Sequence, residues 1–175
     1  IKVPIAIIPS GTSNDFASCL TLGTNGFAGY IDSIVDGRTT TIDVGSVGDK
    51  YFINVASAGM LTSVAHDVDR RLKSTFGKLA YYLRGIGELP RFRALNMMVE
   101  ADGKARQVSA FFVLIVNSSV VAGLKNISVK AKLDDGQLDL VMLKQCNIPE
   151  LVAFTAETVA GKDMINNKNV EYIQA

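Results

Sequence analysis

A short polar segment near the start of the chain has the residue types that bind phosphate. Residues 9–17 read Pro-Ser-Gly-Thr-Ser-Asn-Asp-Phe-Ala and end the apolar run 3–9. Between a buried strand and a helix, free N–H groups and the helix dipole favour an anion. Gly11 lets the backbone approach that anion, Thr12 can donate its hydroxyl to a phosphate oxygen, and Asp15 can hold a magnesium ion.

The same segment also has an ordinary structural explanation. Ser, Asn and Asp are common helix caps, so a loop of this composition can simply end a strand and begin a helix. The residue types alone leave both interpretations open.

The surrounding elements predict the end of an α/β domain. The run 3–9 predicts a buried strand, and helices are predicted over 15–22 and 25–35, the second ending at Asp36-Gly37. We therefore predict a domain boundary near residue 38. Because the chain opens in a strand approach, we expect it to be part of a larger protein.

After the boundary the pattern changes to strands. β-branched and aromatic residues predict strands in four segments, 39–47, 51–56, 95–101 and 107–116. Asp102-Gly103 predicts a hairpin turn, and Asp135-Gly136 predicts a second hairpin between 128–132 and 138–143.

Two further helices complete the predicted second domain. Apolar residues at helical spacing predict a helix over 76–89, and a proline start with a glycine stop predicts one over 149–160. The predicted fold class is α+β, mainly β: residues 39–175 form a two-layer β-sandwich with peripheral helices, preceded by the end of the α/β domain.

Composition excludes several classes of function. The 175 residues carry a net charge of +1 and no interleaved aromatic and basic runs, so no nucleic acid partner is predicted. Cys19 and Cys146 have no metal-ligand spacing, which favours a reducing, cytoplasmic setting. The longest apolar run, 110–116, is too short to span a bilayer.

The polar segment also identifies a family. Residues 9–17 resemble the Pro-x-Gly-Thr-x-Asn-Asp-Phe-Ala motif of the diacylglycerol kinase catalytic family, whose relatives include sphingosine and ceramide kinases. The resemblance continues in the family's order at 41–45, 51–56, 77–81 and 133–139. It implies that an α/β nucleotide-binding domain precedes the sandwich, and that ATP phosphorylates the hydroxyl of diacylglycerol between them to give phosphatidic acid.

The resemblance implies a set of nucleotide contacts in the polar segment. These are Gly11, Thr12, Asn14 and Asp15. Thr12 matches a threonine that contacts ATP, and Asp15 matches an aspartate near the magnesium ion bound to the nucleotide.

A second, structural magnesium ion is implied near residue 135. Its ligands would be the Asp135 carboxylate and the main-chain oxygens of Lys132 and Gln137, with Asp43 linked through water. Main-chain ligands explain why a lysine can stand in such a site, because hard cations accept carbonyl oxygen. An ordinary turn at Asp135 and a solvated strand residue at Asp43 remain alternative explanations.

The sequence also departs from the family. The Gly-Gly-Asp-Gly-Thr loop that holds the phosphates does not occur, and Ser18 stands where the family often has arginine. The glutamate that is the proposed base is expected beyond residue 175. No catalytic residue is therefore assigned within this chain, and the chain alone is expected to be inactive.

Basic residues are concentrated between 70 and 93, where seven lysines and arginines accompany one acidic residue. A diacylglycerol stays in the bilayer, so Arg70, Arg71, Lys73 and Lys78 predict peripheral contact with an anionic inner membrane face. An ordinary solvated helix face explains the same charges. A homodimer through exposed sandwich edges is compatible with the sequence.

Three alternative functions stay open. A sphingoid-base or other lipid kinase differs only in the acceptor pocket. An enzyme similar to NAD kinase shares the two-domain plan, although the run Asn14-Asp15-Phe16-Ala17 favours the lipid branch. A non-catalytic lipid-binding module would use the sandwich as a platform.

Overall fold

The computed structural model describes residues 3–11, 13–20, 26–37, 39–59, 93–121, 124–125 and 130–175. The helices in this part of the chain are α1 (Asp15–Cys19), α2 (Gly26–Val35) and α3 (Ile148–Val159), with a 3-10 turn at Met164–Asn166. The strands are β1 (Gly45–Val47), β2 (Lys50–Phe52), β3 (Val55–Gly59), β4 (Leu95–Ala101), β5 (Lys104–Val116), β6 (Val120–Val121), β7 (Leu124–Lys125), β8 (Asp139–Lys144) and β9 (Val170–Gln174). The described part is mainly β, as predicted.

Strand β5 is the centre of a five-stranded antiparallel sheet. Strand β8 pairs along one edge of β5, and β9 continues the sheet beyond β8. The other edge is shared: β4 pairs with the first half of β5, where Leu95 lies opposite Ala110, and β3 pairs with the second half, where Gly59 lies opposite Phe112. The two hairpin-like sheets β1–β2 and β6–β7 are separate from this one.

A β-bulge at Phe111 changes the faces to which β5 points its side chains. The pairing of β5 with β8 shifts register between Ala110 and Phe112. Val108 and Ala110 lie in one apolar cluster before the bulge, and Val113 lies in the same cluster after it. One extra residue reverses the strand's two-residue alternation. A single long strand thereby supplies apolar side chains to cores on both faces of the sheet.

Helix α3 covers one face of the sheet. Asn147 caps it through a hydrogen bond of 2.9 Å from the Glu150 N–H, and the Glu150 carboxylate binds the Asn147 N–H in return. Leu151 and Phe154 are buried, and the rings of Phe154 and Phe112 lie 6.1 Å apart. Burying a side chain of this size stabilises a fold by about 1.5–3 kcal/mol.

Several local predictions are confirmed. The hairpin turn at Asp102-Gly103 joins β4 and β5, with φ values of 48° and 75° that suit the tightest two-residue turn. The helices predicted over 25–35 and 149–160 begin or end within one residue of α2 and α3. The helix predicted over 15–22 is shorter, because α1 ends at Cys19. The helix predicted over 76–89 lies outside the described residues.

Two predicted strands differ in extent. Of 39–47 only Gly45–Val47 pairs as a strand, and 51–56 is interrupted at residues 53 and 54. The reason is that the carbonyls of Asp43 and Ile53 accept hydrogen bonds from the side chain of Asn117 instead of from a neighbouring strand. Side-chain partners of this kind replace a ladder.

The second predicted hairpin is wrong. Strand β8 has β5 on one edge and β9 on the other, so neither edge is left for the described residues 130–132, while 128–129 lie outside the described residues. Asp135-Gly136 instead lies in an irregular loop over 130–138, where Gly136 has φ 72°. Non-local pairing decided the partners of β8, and the local turn signal did not.

Candidate nucleotide and metal site

Asn14 closes the loop that precedes α1. Its side-chain oxygen accepts a hydrogen bond of 2.8 Å from the Gly11 N–H, and its side-chain amide donates one of 2.8 Å to the Gly11 carbonyl. Asn14 stands at the cap position of α1 with φ 50°, yet its side chain makes no capping hydrogen bond. The ordinary cap role is therefore not what this asparagine performs. Its side chain fixes the shape of the loop.

The other nucleotide residues predicted from the sequence surround this closure. Gly11 is exposed, Asp15 is half-buried at the start of α1, and Thr12 lies outside the described residues. Ser18 is exposed and donates its hydroxyl to the Asp15 carbonyl at 2.6 Å. The nucleotide contacts of these residues stay predictions.

Helix α1 lies against β6 and the residue that precedes it. Ala17 is buried, and the Cys19 sulfur lies 4.0 Å from the Ser119 hydroxyl oxygen, just before β6. The loop closed by Asn14 is thus close in space to the residues that follow β5.

Asp43 is bound to the loop 132–137 by two hydrogen bonds. Its N–H donates to the Leu133 carbonyl at 2.6 Å, and its carboxylate accepts from the Gly136 N–H at 2.7 Å. The structure therefore brings together two predicted metal positions, Asp43 and Asp135, that are far apart in sequence. This closeness could not be read from a turn motif alone.

The oxygens of this loop suit a hard cation. The Asp135 carboxylate accepts from the Gln137 N–H at 3.2 Å and from the Gln174 side-chain amide at 3.3 Å. Within the described residues, the main-chain oxygens of Lys132 and Gln137 accept no main-chain hydrogen bond. Magnesium and calcium prefer such oxygen ligands.

The acidic side chains of this loop are those of Asp134 and Asp135. Across the residues that the structure describes, there is no group of three or more His, Cys, Asp or Glu side chains that could hold a metal ion. A cation here would depend on main-chain oxygens together with Asp135. That donor set fits the predicted site, and metal binding itself stays a prediction.

Asn117 lies next to the candidate site, and the sequence analysis did not select it. It follows β5 directly, is fully buried, and donates its side-chain amide to the carbonyls of Asp43 at 2.7 Å and Ile53 at 3.1 Å. Its N–H donates to the Asn54 carbonyl at 2.9 Å. The available signal was an asparagine at the end of the apolar run 110–116, where a buried polar group needs partners.

Shifted pKa values occur around α3. A hydrogen bond from Lys168 holds the pKa of the Glu150 carboxyl below its usual value, and one from Lys162 does the same for Glu157. Glu150 raises the pKa of Lys168 in return, and burial raises the pKa of the Cys146 thiol. These groups are not part of the candidate site.

Helix length bears on the membrane question. None of the helices in the described ranges is both long and apolar enough to cross a bilayer.

Two domain families match the chain. Residues 54–175 match the YegS C-terminal NAD kinase beta sandwich-like domain, and residues 1–47 match the diacylglycerol kinase catalytic domain. The first-domain match ends at residue 47 and the second begins at residue 54. The predicted domain boundary near residue 38 stays a prediction. The loop closed by Asn14 and the residue Asp43 both lie within the catalytic-domain match.

Curated proteins that are similar to this chain are named diacylglycerol kinase. The diacylglycerol kinase of Bacillus subtilis (strain 168) is 34% identical over 171 residues, which cover 98% of this chain and 56% of that protein. The diacylglycerol kinase of Staphylococcus haemolyticus (strain JCSC1435) is 38% identical over 147 residues, 84% of this chain and 44% of that protein. The chain thus spans about half the length of these relatives.

Solved structures share the fold. A Bacillus anthracis (strain Sterne) protein provisionally named a diacylglycerol kinase matches with a TM-score of 0.76 and 26% identity, over 96% of this chain and 54% of that one. A second structure of a diacylglycerol kinase from this organism matches with a TM-score of 0.69 and 24% identity, a likeness of fold alone. The domain matches and the curated relatives show that the chain belongs to the diacylglycerol kinase family.

Proposed function

We propose that the natural protein containing this chain is an ATP-dependent lipid kinase that phosphorylates the hydroxyl of diacylglycerol and produces phosphatidic acid. The observation that carries the proposal is the match to the diacylglycerol kinase catalytic domain over residues 1–47, which contains the loop closed by Asn14. Relatives named diacylglycerol kinase share 34% and 38% identity with the chain and support the same reaction.

The loop before α1 binds the phosphates of ATP in this proposal. Asn14 makes hydrogen bonds to both the main-chain N–H and the main-chain carbonyl of Gly11, so the loop keeps its shape before the nucleotide arrives. A preformed loop binds more tightly because less conformational freedom is lost on binding. Thr12 then donates its hydroxyl to a phosphate oxygen, and Asp15 binds the magnesium ion that accompanies the nucleotide.

The loop 132–137 binds a second magnesium ion in this proposal. Asp135 and the main-chain oxygens of Lys132 and Gln137 are its ligands, and Asp43 contacts it through water. Bound there, the ion would stabilise the loop by neutralising its carboxylates. Asp43 already reaches this loop through the N–H of Gly136, which keeps its carboxylate at the site.

Phosphoryl transfer breaks the bond between the β-phosphate oxygen and the γ-phosphorus and forms one to the lipid hydroxyl oxygen. The hydroxyl proton must pass to a base, and no residue of this chain is assigned that role. The chain contributes alignment of the phosphates and electrostatic stabilisation, which supply most of the catalysis in such reactions.

The lipid substrate also implies contact with a membrane. Arg70, Arg71, Lys73 and Lys78 lie in the basic segment 70–93 and can contact anionic lipid headgroups at the cytoplasmic face. These residues lie outside the described ranges, so their contribution rests on the sequence.

The test is transfer of radiolabelled γ-phosphate by the purified natural protein. Diacylglycerol in mixed micelles, sphingosine and NAD are compared as acceptors under the same conditions. We expect labelled phosphatidic acid as the main product. Faster labelling of sphingosine or NAD would replace the proposed acceptor, and labelling of none of them would refute the assignment as a kinase.

A further inference from the structure

We propose that Asn117 is a positioning residue that holds Asp43 against the loop 132–137. For its effect on metal binding, this inference rests on the proposed magnesium site. Among the described residues, Asn117 makes a hydrogen bond to one residue of the predicted metal site, Asp43, and it does so through the Asp43 main-chain carbonyl. It acts on the site through Asp43.

The hydrogen bonds of Asn117 show that this position uses a side chain with two donors. The side-chain amide has two hydrogens, and it donates them to Asp43 at 2.7 Å and Ile53 at 3.1 Å. These carbonyls lie on either side of the hairpin β1–β2. A planar group with two donors at the end of β5 therefore closes the base of this hairpin.

The side-chain oxygen of Asn117 supports this reading of its role. That oxygen is buried and accepts no hydrogen bond from any described residue. A buried acceptor without a partner is unfavourable, and such groups are few in folded proteins. Asparagine at this position thus donates two hydrogen bonds, while its side-chain oxygen is buried without a partner among the described residues.

The contacts of Asn117 continue on both sides of the site. On one side, Asp43 binds Leu133 and Gly136 of the metal loop. On the other, Ser118 donates its hydroxyl to the Asn54 side chain, and Ser119 lies beside Cys19 at the end of α1. The three residues that follow β5 thereby connect the proposed metal loop with the helix after the nucleotide loop.

The experiment compares Asn117→Ala with Asn167→Ala in the natural protein. Asn167 is a suitable control because its side chain also makes two hydrogen bonds, donating to Glu157 at 2.9 Å and accepting from the Asn169 N–H at 2.9 Å. Asn117→Ser keeps one donor and serves as the milder variant if Asn117→Ala does not fold. The melting temperature of each variant measures its general loss of stability.

Two measurements separate positioning from general stability. Hydrogen exchange of peptides that contain the Asp43 and Gly136 amides, in EDTA, reports on the tether without metal. We expect exchange there to be about tenfold faster in the Asn117 variants than in Asn167→Ala. We also expect about a tenfold rise in the magnesium concentration that half-maximally stabilises the protein against heat.

Either measurement can overturn the inference. Equal exchange at Asp43 and Gly136 in the Asn117 and Asn167 variants would show that Asn117 acts only on general stability. An unchanged magnesium midpoint would show that the tether does not position the site. If the unmutated protein gains no stability from magnesium, the proposed metal site fails, and exchange in EDTA still decides whether Asn117 holds Asp43.

Discussion

The carboxylate of Asp43 accepts a hydrogen bond of 2.7 Å from the N–H of Gly136, 93 residues later in the chain. Both residues are in irregular segments, so no strand ladder holds them together. The bond fixes an exposed loop relative to the β1–β2 hairpin. This hydrogen bond is stronger than one between two neutral groups, because its acceptor is a charged carboxylate.

Replacing Asp135 tests the proposed metal ligand. Asp135→Asn removes a negatively charged ligand, so the magnesium concentration for half-maximal thermal stabilisation should rise about tenfold or more. Asp134→Asn changes the charge equally at the neighbouring exposed position and should leave the midpoint unchanged. Equal midpoints for the two variants would remove Asp135 from the site.

Replacing Asn14 tests the closed loop. Asn14→Gly keeps the positive φ of 50° without strain and removes both hydrogen bonds to Gly11. Each bond contributes about 0.5–1.5 kcal/mol to holding the loop closed, so KM for ATP should rise about tenfold, with a fall of a few degrees in the melting temperature. Ser33→Ala removes a comparable bond within α2 and is the control. A KM equal to that of the control would show that loop closure is irrelevant to ATP.

Gly45 leaves space for the ring of Phe52. A Cβ at Gly45 would lie 2.1 Å from the ring, and the two residues are directly paired in β1 and β2. Gly45→Ala should therefore destabilise the protein by about 1–3 kcal/mol in denaturant unfolding. Adding Phe52→Leu should restore part of the loss, since the smaller side chain removes the clash. Strictly additive losses would mean that the ring moves aside freely.

Acid should weaken the end of α3. The pKa values of Glu150 and Glu157 are held below their ordinary value of 4.5 by hydrogen bonds from Lys168 and Lys162. Groups with a lowered folded-state pKa stabilise the fold above the unfolded value, and this stabilisation is lost as pH falls through the folded value. Glu150→Gln should therefore lower the melting temperature at pH 7, where the contact with Lys168 is intact, and flatten its fall below pH 4.5, where the two proteins should converge. An unchanged acid profile would assign the loss to other groups.

Charge reversal tests the basic segment. Replacing Arg70, Arg71 and Lys73 with glutamate should weaken sedimentation of the natural protein with anionic vesicles, because each basic group near such a surface contributes about 1 kcal/mol. The same change at Lys50, Lys104 and Lys144, which are exposed on other elements, is the control. If both triple variants bind equally well, the segment is not the membrane contact.

Local signals predicted the local parts of the fold. Asp102-Gly103 specified its hairpin because the required positive φ angles suit those two residue types. The proline and glycine around α3 gave its limits to within one residue. The signal at Asp135-Gly136 was equally strong, but β8 paired with β5 and β9, which are distant in sequence.

The sequence predicted the site residues that lie in family motifs, and it did not predict a residue that is defined by its contacts in the fold. Asp43 and Asp135 were chosen through the family resemblance, and the structure places Asp43 on the loop that contains Asp135. Asn117 was missed because its partners, Asp43 and Ile53, lie more than sixty residues earlier in the chain. A buried amide cannot be assigned a role until the groups facing it are known.

Strands β3 and β4 pair with the same edge of β5, so the segment that connects them leaves the sheet and returns to it at adjacent positions. Gly59 and Leu95 end and begin strands that meet there, and a Cβ on Gly59 would lie 3.2 Å from the Leu95 side chain. Because the two anchor points adjoin, the connection can lengthen or shorten in homologous enzymes at small entropic cost. The basic segment can therefore change in sequence and length without changing the register of the sheet.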